Sequence, residues 1–345
     1  MANKRKGIII TLICIISVLA LFLCALIGTF LYLTKDYNHK KLSTEFNTIP
    51  PISQGVVNIA LFGVDAREEG SFEGRTDSIM ILSVNTDTGE LKIISVMRDS
   101  LTQVEGYDTP MKINAAYSLG GPELAIKTLN NNFDLDIKEY ATVNFYGMAD
   151  IIDAVGGLEI EVNKYEIEAK FGINDMIYEQ SQYMQIDPPY VTKEGLQLLN
   201  GVQAVSWARI RYAPTNNGTQ NDAGRTERQR YVMELLLNKA LSKNLLEYPK
   251  IIKALLPHME TSLSYNDIIK LSGVFRKKVT YTQTRVPMES YLLDAPEGFG
   301  SIKYYDYTLA SKIIYSYIYE NVAPEDFLKK NTYVSKGWYE APQKG

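Results

Sequence analysis

Acidic and basic side chains alternate in the stretch "LFGVDAREEGSFEGRTDSIMILSV" (61–84), between two apolar runs, and again where the next apolar run ends. The pairs are Asp65 with Arg67, Arg75 with Asp77, and Arg98 with Asp99. Carboxylates that lie close together cannot all stay ionised cheaply unless a cation or basic side chains lie between them. These residue types therefore predict a charged ligand site at the ends of strands.

Arginine is concentrated in three short blocks of a chain that otherwise prefers lysine. The arginines of these blocks are Arg67, Arg75, Arg98, Arg209, Arg211, Arg225, Arg228 and Arg230. A guanidinium presents a rigid pair of donors that matches two phosphate oxygens, and it stays charged when partly buried. A salt bridge that fixes a loop explains any single arginine equally well, but the three blocks together favour a site for an oxyanion.

Aspartates fall in the same blocks and indicate a metal ion. They are Asp65, Asp77, Asp99 and Asp222. Mg²⁺ commonly binds to one or two carboxylates and to substrate phosphates, because it prefers hard oxygen ligands and keeps part of its water. The helix predicted to start near Gly224 adds a positive N-terminal dipole, which favours an anion. We therefore expect a phosphate-rich ligand that binds together with Mg²⁺.

Composition excludes several other chemistries. Both cysteines, Cys14 and Cys24, lie in an apolar N-terminal run, and the two histidines, His39 and His258, lie outside the charged blocks. No Cys–His or Ser–His nucleophile is therefore expected, and neither is a cysteine-bound metal in the domain. The formal net charge of −4 argues against a general nucleic-acid binder, which usually carries a basic excess.

The apolar patterns predict one α/β domain over residues 55–330, with a mixed central sheet and helices on both faces. Predicted strands cover 56–64, 78–84, 91–97, 139–146, 158–162 and 279–288, and predicted helices cover 122–133, 147–155, 224–244, 248–257, 265–276 and 306–322. Hairpins and strand–helix crossovers both occur in this order, which favours a mixed sheet. The remaining segments are predicted as a helix followed by a strand or turn (192–212), an irregular Tyr-rich excursion or lid (164–192), and a C-terminal tail (331–345).

The N-terminus is typical of a membrane anchor. Residues 7–34 contain no charged side chain, and this run is long enough to cross the roughly 30 Å hydrocarbon core as a single-pass helix. Three basic residues precede it, so the positive-inside rule predicts a cytoplasmic tail at 1–6 and an extracellular domain. The polar segment 35–54, with its Pro-Pro pair, predicts a short stalk. A cleaved signal peptide is the alternative, but the apolar run is longer than a usual h-region.

Seven blocks of the sequence resemble, in order, those of the LytR-CpsA-Psr family of Gram-positive bacteria. The blocks are "NIALFGVDAR", "RTDSIMILSVN", "ISVMRDS", "KINAAYSLGG", "VNFYGMADIIDAVGG", "LNGVQAVSWARIRY" and "DAGRTERQ". The resemblance runs from about residue 56 to 244, and the later segments look like the C-terminal end of that fold. Two positions depart from the family pattern: Ala223 stands where an aromatic residue is common, and Trp207 where tyrosine is usual.

The resemblance implies an α-β-α sandwich and a phosphotransferase that moves a glycopolymer from a polyprenyl-pyrophosphate carrier to peptidoglycan. It implies that Asp65 and Asp77 bind Mg²⁺. The residues that it places around the pyrophosphate are Arg75, Arg98, Lys112, Arg209, Arg211, Arg225 and Gln229. Arg75 and Arg98 would stabilise charge during the reaction, and either Asp99 or Asp222 would be the base. Arg67, Arg228 and Arg230 are expected to be structural.

A polyprenyl lipid needs an apolar cavity, and the aliphatic segments 78–84, 143–155 and 231–237 could wall one between the sheet and the helices. Plain core packing explains the same segments. Two other functions stay open: a polyprenyl-pyrophosphate lipid hydrolase with the same charged residues and water as acceptor, and a non-catalytic wall-binding or regulatory membrane protein. The sequence does not distinguish wall teichoic acid from capsular polysaccharide or a similar polymer.

Overall fold

The structure is a computed structural model that describes residues 38–43, 45–46, 49–66, 70–243, 247, 256–331, 333 and 336–338. The predicted cytoplasmic tail (1–6) and membrane-spanning helix (7–34) lie outside these residues, and so does most of the helix predicted at 248–257. Among the described residues, we find no helix with the length and apolar character needed to span a membrane.

Most of the predicted strands and helices are present in the predicted order with shifted boundaries, and further short strands and helices lie between them. The strands are β1 (Val56–Val64), β2 (Thr76–Asn85), β3 (Glu90–Val96), β4 (Leu101–Thr102), β5 (Met111–Lys112), β6 (Glu139–Asn144), β7 (Leu158–Val162), β8 (Gly195–Leu199), β9 (Met259–Thr261), β10 (Thr280–Val286), β11 (Leu292–Leu293) and β12 (Tyr304–Tyr305). The helices are α1 (Ala115–Phe133), α2 (Phe145–Ala154), α3 (Lys164–Glu168), α4 (Ile173–Met184), α5 (Gly201–Arg209), α6 (Asn221–Leu241), α7 (Tyr265–Ser272), α8 (Tyr307–Tyr319) and α9 (Pro324–Lys330).

A six-stranded sheet forms the centre of the domain, in the order β10–β3–β2–β1–β6–β9. β1 is parallel to β6 and β10 is parallel to β3, while β2 and β9 run antiparallel to their neighbours. The prediction of a mixed sheet is therefore confirmed. The carboxyl ends of β1, β3, β6 and β10 lie at one edge, which is where open α/β sheets bind their ligands.

Both faces of this sheet carry helices, because successive side chains of a strand point to opposite faces. Phe62 of β1 packs in one hydrophobic cluster with Ile126 of α1 and Ile313 of α8. Ile59 of the same strand packs in a different cluster, with Leu237 of α6. Burial of these two apolar faces is the main driving force for the layered arrangement.

The segment 164–192, predicted as an irregular excursion or lid, contains the helices α3 and α4, so the prediction of irregular structure is wrong. Its role as an excursion or lid stays a prediction. Ile173 and Ile177 are fully buried, and their spacing of four residues places them on one face of α4. The buried face also carries Gln180 and Ser181, so its apolar period is weak in the sequence.

Residues 192–212 contain the predicted helix, followed by a turn, and a strand before the helix that was not predicted. β8 pairs with β7 in a separate two-stranded sheet, so β7 does not join the central sheet. Asn200 then begins α5 through a capping box, in which its side chain accepts from the Gln203 backbone N–H and the Gln203 side chain accepts from the Asn200 N–H.

The helix predicted at 122–133 is the second part of a longer helix, α1, and it follows a kink. α1 starts at Ala115, and its backbone leaves helical geometry at Gly120 and Gly121 before Pro122. Gly121 has a φ of 64°, which glycine adopts without the steric cost that other residues meet.

Parts of the segments predicted as stalk and tail contact the domain. Phe46 is buried in the same cluster as Phe62, and the Lys40 N–H donates to the Thr261 carbonyl at 3.0 Å. Near the C-terminus, the Lys336 N–H donates to Asp306 at 3.0 Å. The predicted boundaries of the stalk (35–54) and of the tail (331–345) stay predictions.

A buried ion pair joins α3 to α6. Arg228 and Glu166 are 1% and 0% exposed, and Arg228 Nη2 lies 2.8 Å from Glu166 Oε1. Arg228 also donates to the backbone carbonyls of Ile210 and Ala213, at 3.2 and 2.9 Å. The expectation that Arg228 is structural is confirmed by these contacts.

Replacing Arg228 should destabilise the domain strongly. Arg228→Ala leaves the Glu166 carboxylate buried without its guanidinium, so we expect a loss of about 3–5 kcal/mol in the free energy of unfolding. Denaturant unfolding followed by circular dichroism measures the loss. The matched control is Lys164→Ala, which removes an exposed i,i+4 pair with Glu168 (3.8 Å) and should cost less than about 1 kcal/mol. Equal losses in the two variants would contradict a structural role for the buried pair.

Candidate functional site

An irregularity in β2 places Asp77 at the ligand edge of the sheet. Gly63 pairs with Ser78 and Val64 pairs with Thr76, so Asp77 is an extra residue that β1 does not match. Such β-bulges redirect a side chain and are common beside active sites. The sequence alone predicts an acidic residue at the start of this strand but not the bulge.

Two arginines hold the Asp77 carboxylate. Arg98, which follows β3, forms an ion pair with Asp77 Oδ1, and Arg225 Nη1 lies 3.4 Å from Asp77 Oδ2. Arg225 is only 2% exposed, and it lies in the first turns of α6. The structure therefore brings together three predicted site residues that lie as far as 148 positions apart in the chain.

A second carboxylate extends this cluster to β5. Asp99 Oδ1 accepts from Lys112 Nζ at 2.7 Å, and Asp99 Oδ2 lies 3.9 Å from Arg98 Nε. Asp99 is 7% exposed, so the basic neighbours offset much of the cost of burying its charge. We call Asp77, Arg98, Asp99, Lys112 and Arg225 the ionic cluster.

An apolar cavity of about 400 Å³ lies between the sheet and helices α2, α5 and α6, next to the ionic cluster. Its wall includes Leu61, Met80, Val143, Met148, Val232 and Leu236. The predicted segments 78–84, 143–155 and 231–237 all contribute to the lining, which confirms the predicted cavity. Cavities lined mainly by apolar side chains with a few polar groups are typical small-molecule sites.

Polar side chains also line this apolar cavity. Ser78 directly follows Asp77, and Gln229 lies one helical turn after Arg225. Arg209, from the last turn of α5, stacks over the Phe145 ring at 4.5 Å and lies 3.3 Å from Glu179 Oε2. Arg209 and Gln229 therefore place hydrogen-bonding groups in the mainly apolar lining of the cavity.

Backbone hydrogen bonds locate three of the other predicted site residues, Asp65, Arg75 and Arg211. The Asp65 N–H donates to the Arg75 carbonyl at 3.4 Å, and the Arg75 side chain is exposed on a second cavity that Lys112 also lines. The Arg211 carbonyl accepts from the Asn221 N–H at 2.7 Å, at the start of α6. Asp222 lies in the first turn of α6. Their roles stay predictions.

Sequence reasoning missed two residues of this region. Glu179 pairs with Arg209, and Phe145 provides the ring beneath its guanidinium. Glu179 lies in the segment predicted as irregular, so no helical position is predicted for it; the structure places it on α4. Recognising the buried Ile173 and Ile177 as one helix face would have given α4 and its polar side.

Arg230 lies apart from the ionic cluster and lines a third cavity, together with Glu227 and Glu234. Burial, together with the nearby positive charge of Arg285, lowers the pKa of its guanidinium. Arg67 lies outside the described residues.

The carboxylates fit Mg²⁺ only in combination with other ligands. Within the described ranges there is no group of three or more His, Cys, Asp or Glu side chains able to hold a metal ion. Asp65 directly follows β1 and Asp77 lies in the neighbouring β2; their carboxylates would supply two hard oxygen ligands, and a bound phosphate and water would have to complete the coordination that Mg²⁺ requires.

The ionic cluster lies beside an apolar cavity, at the carboxyl edge of a mixed sheet. These features define an α/β protein whose site suits an amphiphilic anion. The chain belongs to the LytR-CpsA-Psr family, because the family model described as "LytR_cpsA_psr family" matches residues 28–311.

A relative in sequence supports this assignment, and two solved structures share the fold. A relative from Enterococcus faecalis, named polyisoprenyl-teichoic acid–peptidoglycan teichoic acid transferase TagU, is 31% identical over 239 residues, which are 69% of this chain and 70% of the relative. The crystal structure of a Streptococcus agalactiae protein superposes with a TM-score of 0.62 at 23% identity, covering 85% of this chain and 99% of that one. Bacillus subtilis TagT with bound octaprenyl pyrophosphate lipid gives a TM-score of 0.55 at 17% identity, covering 81% of this chain and 98% of that one.

Filling the apolar cavity should abolish its capacity for apolar ligands. Met233 lines the cavity, and Met233→Trp would place a large ring in it. We expect the variant to bind an apolar fluorescent dye at least about tenfold more weakly than the unsubstituted chain, measured by titration. The control is Leu196→Trp, since Leu196 is 70% exposed on β8 and lies outside the cavity. Equal dye binding by both variants would mean that the cavity does not take up the dye.

Proposed function

We propose that this chain is a Mg²⁺-dependent phosphotransferase that moves a glycopolymer, with its terminal phosphate, from a polyprenyl-pyrophosphate carrier to peptidoglycan. The observation that carries the proposal is the ionic cluster beside the apolar cavity. A long lipid with a pyrophosphate head has both chemistries in one molecule. The names of the Enterococcus faecalis relative and of the lipid-bound Bacillus subtilis TagT structure support the same substrate class.

Binding of the carrier divides between the two parts of the site. The polyprenyl chain would occupy the apolar cavity, where burial of its surface supplies about 25 cal/mol per Å². The pyrophosphate would accept hydrogen bonds from guanidiniums and amides near the cavity. The residues that we assign to it are Arg75, Arg98, Lys112, Arg209, Arg211, Arg225 and Gln229.

Asp65 and Asp77 would hold Mg²⁺ together with phosphate oxygens. When bound, Mg²⁺ supplies positive charge that stabilises the oxygens of the phosphoryl group and of the leaving group. Asp77 already has Arg98 and Arg225 against its carboxylate. A bound pyrophosphate would give these guanidiniums a second anion, so Asp77 can serve the metal without leaving them unpaired.

The proposed transfer is a displacement at phosphorus. A hydroxyl oxygen of peptidoglycan forms a bond to the sugar-linked phosphorus, and the bond from that phosphorus to the bridging oxygen breaks. Polyprenyl phosphate leaves with the bonding electrons, and the hydroxyl proton passes to Asp99 or Asp222. Arg98 and Arg225 stabilise the negative charge that develops on the phosphate oxygens.

The enzyme would act beside the membrane that holds its lipid substrate. The uncharged run 7–34 and the basic residues before it support a single-pass anchor, with the domain outside a Gram-positive cell. The catalytic domain needs no nucleic acid partner.

Removing a guanidinium of the ionic cluster should abolish transfer. We expect Arg98→Ala to lower kcat by about 10²–10³-fold, because a preorganised donor to the developing charge is lost. Arg98→Lys should recover only part of the activity, since an ammonium cannot match two phosphate oxygens at once. The assay uses the full chain in detergent with polyprenyl-pyrophosphate-linked glycan and peptidoglycan.

Arg285→Ala is the matched control, because this arginine pairs with the exposed Glu289 at 3.3 Å and lines none of the three cavities. Unchanged transfer by Arg98→Ala would contradict the catalytic proposal and favour a wall-binding or regulatory protein. Release of free glycan phosphate without attachment to peptidoglycan would instead support the hydrolase.

Chelation should stop the reaction reversibly. We expect a chelator to abolish transfer and added Mg²⁺ to restore it, because without the metal the negative carboxylates of Asp65 and Asp77 would repel the phosphate oxygens. Asp77→Asn should raise the Mg²⁺ concentration needed for half-maximal activity, whereas Asp326→Asn, on the exposed helix α9, should not. Full activity in the presence of the chelator would exclude the metal from the mechanism.

A further inference from the structure

A second cavity, also of about 400 Å³, lies beyond the strand ends next to the N-terminus of α1. We call it the basic cavity. It is lined by Arg75, Leu101, Tyr107, Met111, Lys112, Ala115, Ser118, Leu119, Phe299 and Ile302. Its size falls within the range of small-molecule sites, and none of these residues lines the apolar cavity.

The charge of the basic cavity selects for an anion. Its lining includes the cations Arg75 and Lys112 and no carboxylate. Among the described residues, Arg75 has no carboxylate partner in an ion pair, and its side chain is exposed on the cavity. The N-terminal end of α1, where the Asn114 side chain makes no capping hydrogen bond, adds a positive helix dipole on the same side. The third cavity differs in having a mixed lining, since Glu161, Glu227 and Glu234 line it together with Arg228 and Arg230.

Two aromatic rings give the basic cavity a second kind of surface. Tyr107, in the loop between β4 and β5, is 36% exposed, and Phe299 is half-buried on the opposite segment of the chain. A phenol ring presents an apolar face and a hydroxyl group that can donate or accept a hydrogen bond. Rings of this kind suit a sugar, which has C–H faces as well as hydroxyl groups.

The ionic cluster connects the two cavities. Lys112 lines the basic cavity and donates to Asp99, which adjoins Arg98 and through it Asp77. Ser78, next to Asp77, lines the apolar cavity. In a molecule that joins a lipid, a pyrophosphate and a sugar in this order, the lipid would occupy the apolar cavity and the pyrophosphate would contact the ionic cluster. The sugar would then reach the basic cavity.

We infer that the basic cavity is a saccharide subsite for the first sugar of the pyrophosphate-linked polymer. Arg75 and Lys112 bind oxygens of the sugar-linked phosphate, and the Tyr107 and Phe299 rings contact the sugar. This inference rests on the proposed function and deepens it. It assigns sugar selectivity to the loop between β4 and β5 and to the segment around Phe299.

The test measures the affinity of the full chain in detergent for two lipids, a polyprenyl pyrophosphate and the same lipid carrying one N-acetylhexosamine. We expect the sugar to improve the affinity about tenfold in calorimetric titration. Tyr107→Ala should abolish this gain and leave the affinity for the sugar-free lipid unchanged, because Tyr107 contacts only the sugar. Tyr107→Phe should retain most of the gain, since the ring face remains.

Two further variants complete the comparison. Phe299→Ala should also abolish the gain, and it provides a second measurement on the other side of the basic cavity. Tyr165→Ala is the matched control, because Tyr165 is 65% exposed and lies outside the three cavities. It should bind both lipids as the unsubstituted chain does.

The outcomes separate this inference from the proposed function. If the unsubstituted chain binds both lipids with equal affinity, or if Tyr107→Ala and Phe299→Ala keep the full gain, the saccharide subsite is wrong and the proposed function stands. If the chain binds neither lipid, the proposed function fails, and the subsite fails with it.

Discussion

Buried and half-buried basic and acidic side chains beside an apolar cavity constrain the rest of this domain. A charge removed from water is costly unless a partner of opposite sign lies against it. Asp77 meets that condition by lying between Arg98 and Arg225, and Asp99 meets it by pairing with Lys112. Because these residues come from β2, the turn after β3, β5 and α6, the ionic cluster forms only when the sheet and helices are assembled.

The contrast between the cluster and its neighbouring cavity narrows the class of ligand. A free phosphate would satisfy the guanidiniums but leave the apolar cavity empty, and a plain hydrocarbon would do the reverse. An amphiphile with an anionic head satisfies both. The central sheet makes this combination possible, since the carboxyl ends of its parallel strands leave an edge for charged side chains while α6 covers the adjoining face.

Much of this arrangement could be predicted from the sequence because strong local signals carry it. The β-branched runs of β1, β2 and β3 and the arginine blocks predict strands with basic residues at their ends, and the structure joins Arg98 and Arg225 through Asp77. The bulge at Asp77 has no comparable signal, because it depends on how two strands align. The helix α4 was missed because polar side chains occupy part of its buried face.

The most direct measurement is photo-crosslinking of the full chain by a polyprenyl pyrophosphate with a photoreactive group at the far end of its lipid, with the modified residues located by mass spectrometry. The label should appear on residues that line the apolar cavity, in α2 or α6, and excess unmodified polyprenyl pyrophosphate should compete it away. Labelling confined to segments outside that cavity, or labelling that the unmodified lipid does not reduce, would contradict the placement of lipid and pyrophosphate on which the account depends.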